Sequence, residues 1–130
     1  MRDVILITPQ AYGIEAIVKS LPENTSYLVN SEEQRVTVYL LGTELSVEFI
    51  IDESMINYYE NKEIDLIKKI IKDPKFIIVH FKKIEALSYL LNFVANSKDI
   101  LIDNDFGIIE SGLDFLQRFK ENSDWDWINT

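Results

Sequence analysis

"RVTVYLLGTELSVEFII", Arg35 to Ile51, is the stretch on which the fold of this 130-residue chain turns. Val36, Val38 and Leu40 alternate with Arg35, Thr37 and Tyr39, and Leu45, Val47, Phe49 and Ile51 alternate with Glu44, Ser46, Glu48 and Ile50. Successive side chains of a strand point to opposite sides, so each half has one apolar face and one more polar face. Gly42-Thr43 between them fits a two-residue hairpin turn with glycine first. The stretch therefore reads as an antiparallel pair with one side against a core.

Outward from this hairpin, apolar runs alternate with helical patterns. "DVILIT" (Asp3 to Thr8) and "KFIIVHF" (Lys75 to Phe81) are continuous and rich in β-branched residues, as in strands covered on both faces, and the second suits the middle of a sheet. "SYLVN" (Ser26 to Asn30) and "DILID" (Asp99 to Asp103) are shorter strands, and Ser31 to Gln34 is a turn. Thr8-Pro9 reads as an N-cap with proline in the first helical turn. Ile14, Ile17, Val18 and Leu21 share a helical face that ends at Pro22. Glu53 to Lys72 is helical with a break near Asn61, and Ile64, Ile67, Lys68 and Ile71 give one stripe. Ile84, Leu87, Leu91 and Val94 form another helical face. The last helix starts near Ser111, with Asp114 in the acidic position of a capping box and Phe115, Leu116 and Phe119 on its core side. The order β-α-β-β-β-α-β-α-β-α gives one domain over residues 1–130. It is of the α/β class, with α+β as the alternative, and has a mixed sheet, a central antiparallel hairpin and about four helices.

Composition narrows the function. There is no cysteine, so no disulfide, zinc-thiolate site or thiol nucleophile. No apolar run approaches the roughly 18 residues of a membrane span, and the first apolar stretch is too short for a secretory signal, so a cytoplasmic protein is expected. A net charge of −9 argues against nucleic acid and for a basic partner. The charge is concentrated. Ser97 to Thr130 holds eight acidic residues against three basic ones, and Asp52 to Asp65 holds five against one, which together make up the whole excess. Tyr58, Tyr59 and Glu60 lie in the second segment. Trp125 and Trp127, interleaved with Asp124 and Asp126, lie in the first.

Within "ILIDNDFGIIESG" (Ile100 to Gly112), Asp103 and Asp105 point the same way if the chain is extended. Two such carboxylates at a strand end can hold magnesium. The stretch resembles the first motif of haloacid-dehalogenase phosphatases, which implies Asp103 as nucleophile and Asp105 as acid/base. That family carries its lysine and further aspartates downstream of the motif. Here 25 residues follow Asp105, their only cations are Arg118 and Lys120, and Gly107 replaces the usual threonine or valine. The one histidine, His80, joins this reading if "FIIVHF" and "ILIDND" are neighbouring strands, which places it beside Asp103.

"ILIDNDFGIIESGLDFLQRF" followed by "DWDWI", in a small acidic chain without cysteine, resembles small immunity proteins of bacterial toxin systems. The resemblance implies a cytoplasmic protein that binds and neutralises a cognate toxin, often a basic nuclease, and that is not an enzyme. The residue reading agrees, since carboxylates mixed with aromatic rings can fill a basic cleft. The expected contact residues are Asp103, Asp105, Glu110, Asp124, Trp125, Asp126 and Trp127, with Tyr58, Tyr59 and Glu60 as a second patch. The alternative is a small metal-dependent hydrolase using Asp103, Asp105 and His80. No cofactor or bound metal is expected in the leading reading, nor any nucleic-acid or membrane contact. A homodimer joined through an exposed strand edge is a further possibility.

Overall fold

A computed structural model describes residues 2–40, 45–104 and 108–121. They build one seven-stranded sheet with helices on both faces, a single mixed α/β domain. The strands are β1 (Arg2–Pro9), β2 (Ser26–Asn30), β3 (Arg35–Leu40), β4 (Leu45–Ile51), β5 (Pro74–Phe81), β6 (Leu101–Asp103) and β7 (Ile109–Ser111). The helices are α1 (Ile14–Ser20), α2 (Asn61–Ile70), α3 (Ile84–Val94) and α4 (Gly112–Glu121), with a 3-10 turn, Glu53–Tyr58, before α2. The strand order is β2-β3-β4-β5-β1-β6-β7, and every described pairing is antiparallel. The mixed sheet expected from the sequence is therefore corrected: the strand directions alternate throughout, and the mixture lies only in helix and strand content.

The Arg35–Ile51 hairpin forms with Leu40 opposite Leu45 and Val38 opposite Val47, and its turn, Gly42-Thr43, lies outside the described residues. Val36, Val38, Val47 and Phe49 are buried together with Val4, Leu6, Ile77, Val79 and Ile102 on one face of the sheet. Ile17 of α1, five residues of α3, and Phe115 and Leu116 of α4 cover that face. On the opposite face Ile5, Ile7, Phe76 and Leu101 meet Ile67 and Ile71 of α2, with Met55, Ile56 and Tyr59 of the turn segment packed alongside. β1 and β5 are therefore sandwiched, which is why their sequences run apolar without alternation.

The structure departs from the sequence reading in two further places within the fold. Thr8-Pro9 does not start a helix. β1 runs through Pro9, which sits opposite Pro74 at the end of the β1–β5 ladder, where neither proline has to donate a hydrogen bond. Helix α1 starts five residues later, after Gly13, and the Tyr12 hydroxyl before it donates to the Val94 carbonyl at 2.6 Å, satisfying an open carbonyl at the end of α3. The second departure is β7, which has only three residues and so no period to detect. Its Ser111 still caps α4, accepting from the Asp114 backbone N–H at 3.1 Å.

Candidate functional site

The site begins with Asp52, whose carboxylate accepts from the backbone N–H of Ser54 at 3.0 Å and from its hydroxyl at 2.6 Å. This caps the 3-10 turn that delivers Tyr58 and Tyr59. Glu63 then reaches back to the Glu60 backbone N–H at 3.0 Å and fixes the start of α2. The Tyr59 ring packs on Phe76 with centroids 5.2 Å apart, which aims its hydroxyl along the sheet at β6.

Asp103 is the last residue of β6 and shares its face with Leu101, so it points towards the 3-10 turn and α2. It is only 7% exposed, and its Oδ2 accepts from the Tyr59 hydroxyl at 2.6 Å. A buried carboxylate is tolerable when hydrogen bonds replace its water. The next residue, Asn104, is fully buried. It donates its N–H to the Ile108 carbonyl and accepts the Ile108 N–H on Oδ1, both at 3.0 Å, and so closes the chain after β6.

Between these elements lies a cavity of about 150 Å³. The carboxylates of Asp103 and Glu63 and the rings of Tyr58 and Tyr59 line it, with Ile5, Met55 and Ile109 behind them. Tyr58 stands at its mouth, 79% exposed. Two carboxylates with aromatic and apolar walls have the chemistry to receive a cation on a carbon stem, such as the end of a lysine or arginine side chain. Glu63 also shares one side of α2 with Leu66 and Ile70, at i, i+3 and i+7, and both of these apolar residues are exposed. An apolar stripe therefore runs away from the acidic mouth.

The structure brings Asp103, one residue of the first patch expected from sequence, together with Tyr58 and Tyr59 of the second, with Glu60 exposed next to Tyr59 in the chain. Glu110 does not join them. It lies opposite Ile102, faces the other side of the sheet, and pairs with Arg118 of α4 at 2.9 Å. Burial pushes its carboxyl above the ordinary value, Arg118 pulls it back and Asp114 pushes it up. Asp105, Asp124, Trp125, Asp126 and Trp127 lie outside the described residues.

The placement of His80 beside Asp103 is corrected. β1 lies between β5 and β6, and His80 is opposite Asp3 whereas Asp103 is opposite Ile5, so the two residues sit two strands and two residues apart, about 12 Å by ordinary sheet spacing. His80 Nδ1 is hydrogen-bonded instead to Asp3, its direct cross-strand neighbour. Among the described residues no three histidine, cysteine, aspartate or glutamate side chains come together to hold a metal ion. Sequence reasoning missed Glu63, Leu66 and Ile70. The acidic residue three places after Glu60 signalled the cap, and the spacing of Leu66 and Ile70 signalled a second apolar row. Compared with family models, curated proteins and solved structures, the chain matches none of them.

Proposed function

We propose that the protein is a non-enzymatic binding protein, an immunity protein that neutralises a cognate, basic bacterial toxin in the cytoplasm. One observation carries the reading. Asp103 and Glu63, with Tyr58 and Tyr59, converge on a single cavity from segments far apart in the chain. Around it lie exposed Glu60, Leu66 and Ile70, which is the composition of a protein interface with a charged anchor point. A lysine or arginine of the toxin enters the cavity, and the ring of Tyr58 closes over its stem. The net charge of −9 draws a basic partner in over about a Debye length, roughly 10 Å at 0.1 M salt. Asp103 is too buried to act as a surface contact, so its part is to receive the cation at the cavity floor.

The test is whether this protein neutralises a toxin encoded by a neighbouring gene; no such toxin among the neighbours counts against the reading. Wild type restores growth on co-expression and forms a complex whose association slows as salt rises. Tyr58→Ala combined with Leu66→Lys, both at exposed positions, weakens that complex by about 2 kcal/mol or more, roughly thirtyfold in Kd. A double variant that neutralises and binds as well as wild type would remove this site from the interface. A complex indifferent to salt would remove the electrostatic account.

A further inference from the structure

The opposite end of the sheet has a different character. β2 is an edge strand whose described neighbour is β3 alone, and all five of its residues are exposed. Tyr27, Leu28 and Val29 are 44%, 64% and 43% exposed. Edge strands are usually blunted by a charge, a proline or a bulge. Ser26–Asn30 has no charge and no proline, and its register with β3 runs without interruption from Ser26 opposite Tyr39 to Asn30 opposite Arg35. The strand is framed instead of blocked, because the chain turns away at both ends through left-handed residues, Asn24 at φ 64° and Gln34 at φ 53°.

Each end of β2 opens into a shallow cavity that is acidic. One, of about 400 Å³, is lined by Glu23 and Glu85 with Tyr39 and Tyr89. The other, of about 560 Å³, runs along Leu28 and Val29 to Glu32 and Glu33, with Arg35 the one base among its lining residues and already paired with Glu33 at 3.2 Å. We infer that β2 is a strand-addition site for an extended segment of a partner protein that is apolar and β-branched in its middle and carries lysine or arginine just beyond each end. The ladder hydrogen bonds supply affinity, and the two acidic ends select the segment and fix its register.

Charge decides against a second copy of this chain as the occupant. Antiparallel self-pairing about Leu28 brings the end of β2 next to Glu23 in one copy against the end next to Glu32 and Glu33 in the other, so like charges crowd both ends of the joint. The site lies five strands from β6, about 24 Å from Asp103 by ordinary spacing, and it stands whether or not the protein neutralises a toxin.

The probe is a short labelled peptide, acetyl-Lys-Lys-Val-Thr-Val-Tyr-Val-Lys-Lys-amide, titrated with the full chain and followed by fluorescence anisotropy. It binds, and the same core flanked by glutamate binds at least about tenfold more weakly. Leu28→Lys, at a position exposed enough to leave the melting curve unchanged, weakens the lysine-flanked peptide by a similar factor. Two versions of that peptide, N-methylated at alternate residues in opposite phases, separate pairing from plain attraction to an acidic protein. The version that loses the donors facing β2 loses binding, and the other keeps it. Equal binding of both methylated peptides, or no binding of the parent, overturns the inference. So does a molar mass that doubles with concentration in the wild type and not in Leu28→Lys, which makes a second copy the occupant.

Discussion

The two ends of this sheet have the same antiparallel ladder and opposite surroundings. Around β1, β5 and β6 both faces are packed, and a buried carboxylate sits among apolar residues because a tyrosine hydroxyl reaches it. Around β2, β3 and β4 only one face is packed. The other carries Thr37, Tyr39, Ser46 and Glu48, partly exposed, and ends in the exposed β2. The covered end holds stability and presents a cavity that a single side chain can enter. The open end contributes less to the core and presents backbone. Two kinds of recognition can thus coexist in 130 residues without sharing a residue.

If the contrast is real, substitutions of similar chemistry should differ sharply between the ends. Phe76→Ala, beneath Tyr59 at the covered end, should cost about 3–5 kcal/mol in denaturant unfolding, whereas Leu28→Ala at the open end should stay within about 0.5 kcal/mol. Comparable losses at the two positions would break the comparison. Gly112→Ala probes the tightest contact of the covered end. A Cβ there would stand 1.7 Å from the Ala95 carbonyl oxygen, so the start of α4 or the end of α3 must shift, at about 3 kcal/mol. Tyr59→Phe keeps the ring on Phe76 and removes a donor from Asp103, for a loss of about 1–3 kcal/mol, and Tyr58→Phe, an exposed control, should lose almost nothing.

The smallest effect concerns Glu110, and its test is the pH dependence of unfolding. Burial raises this carboxyl in the folded state, so the folded protein holds the proton more tightly than the unfolded chain. The stability this group contributes is present below its unfolded pKa and is lost as pH rises through the higher folded value. Glu110→Gln cannot titrate, so its stability relative to wild type should rise with pH across that window and then level off. A relative stability that falls over the same window would show that the Arg118 pair outweighs burial.

Much of this architecture is legible from residues 1 to 104. Period-two alternation marked β3 and β4, continuous β-branched runs marked β1 and β5 as sandwiched strands, and Asn61 marked the junction between the 3-10 turn and α2. Local signals failed where a feature is too short for a pattern or depends on distant partners. Pro9 looks like a helix start until Pro74 is seen opposite it. Glu110 looks like part of the Asp103 patch, but a three-residue strand turns it to the other face. Tyr59 and Asp103 belong to separate acidic segments in the sequence and bond across 44 positions, because Tyr59, packed on Phe76 of β5, reaches over β1, which is inserted between β5 and β6. The same insertion separates His80 from Asp103, a pairing that depended on the two strands being neighbours.

That insertion also sets a timetable. The first strand of the chain pairs along its whole length with β5, Arg2 opposite Phe81 through to Pro9 opposite Pro74. As the chain leaves the ribosome, β2, β3 and β4 can join through short connections, but β1 has no partner until roughly residue 81 has emerged. Its other neighbour, β6, comes later still. Closing so long a loop before any contact offsets its entropy slows folding. For that interval the apolar run Val4, Ile5, Leu6 and Ile7 has no strand beside it, so the nascent chain, more than the finished protein, is the form most prone to aggregate.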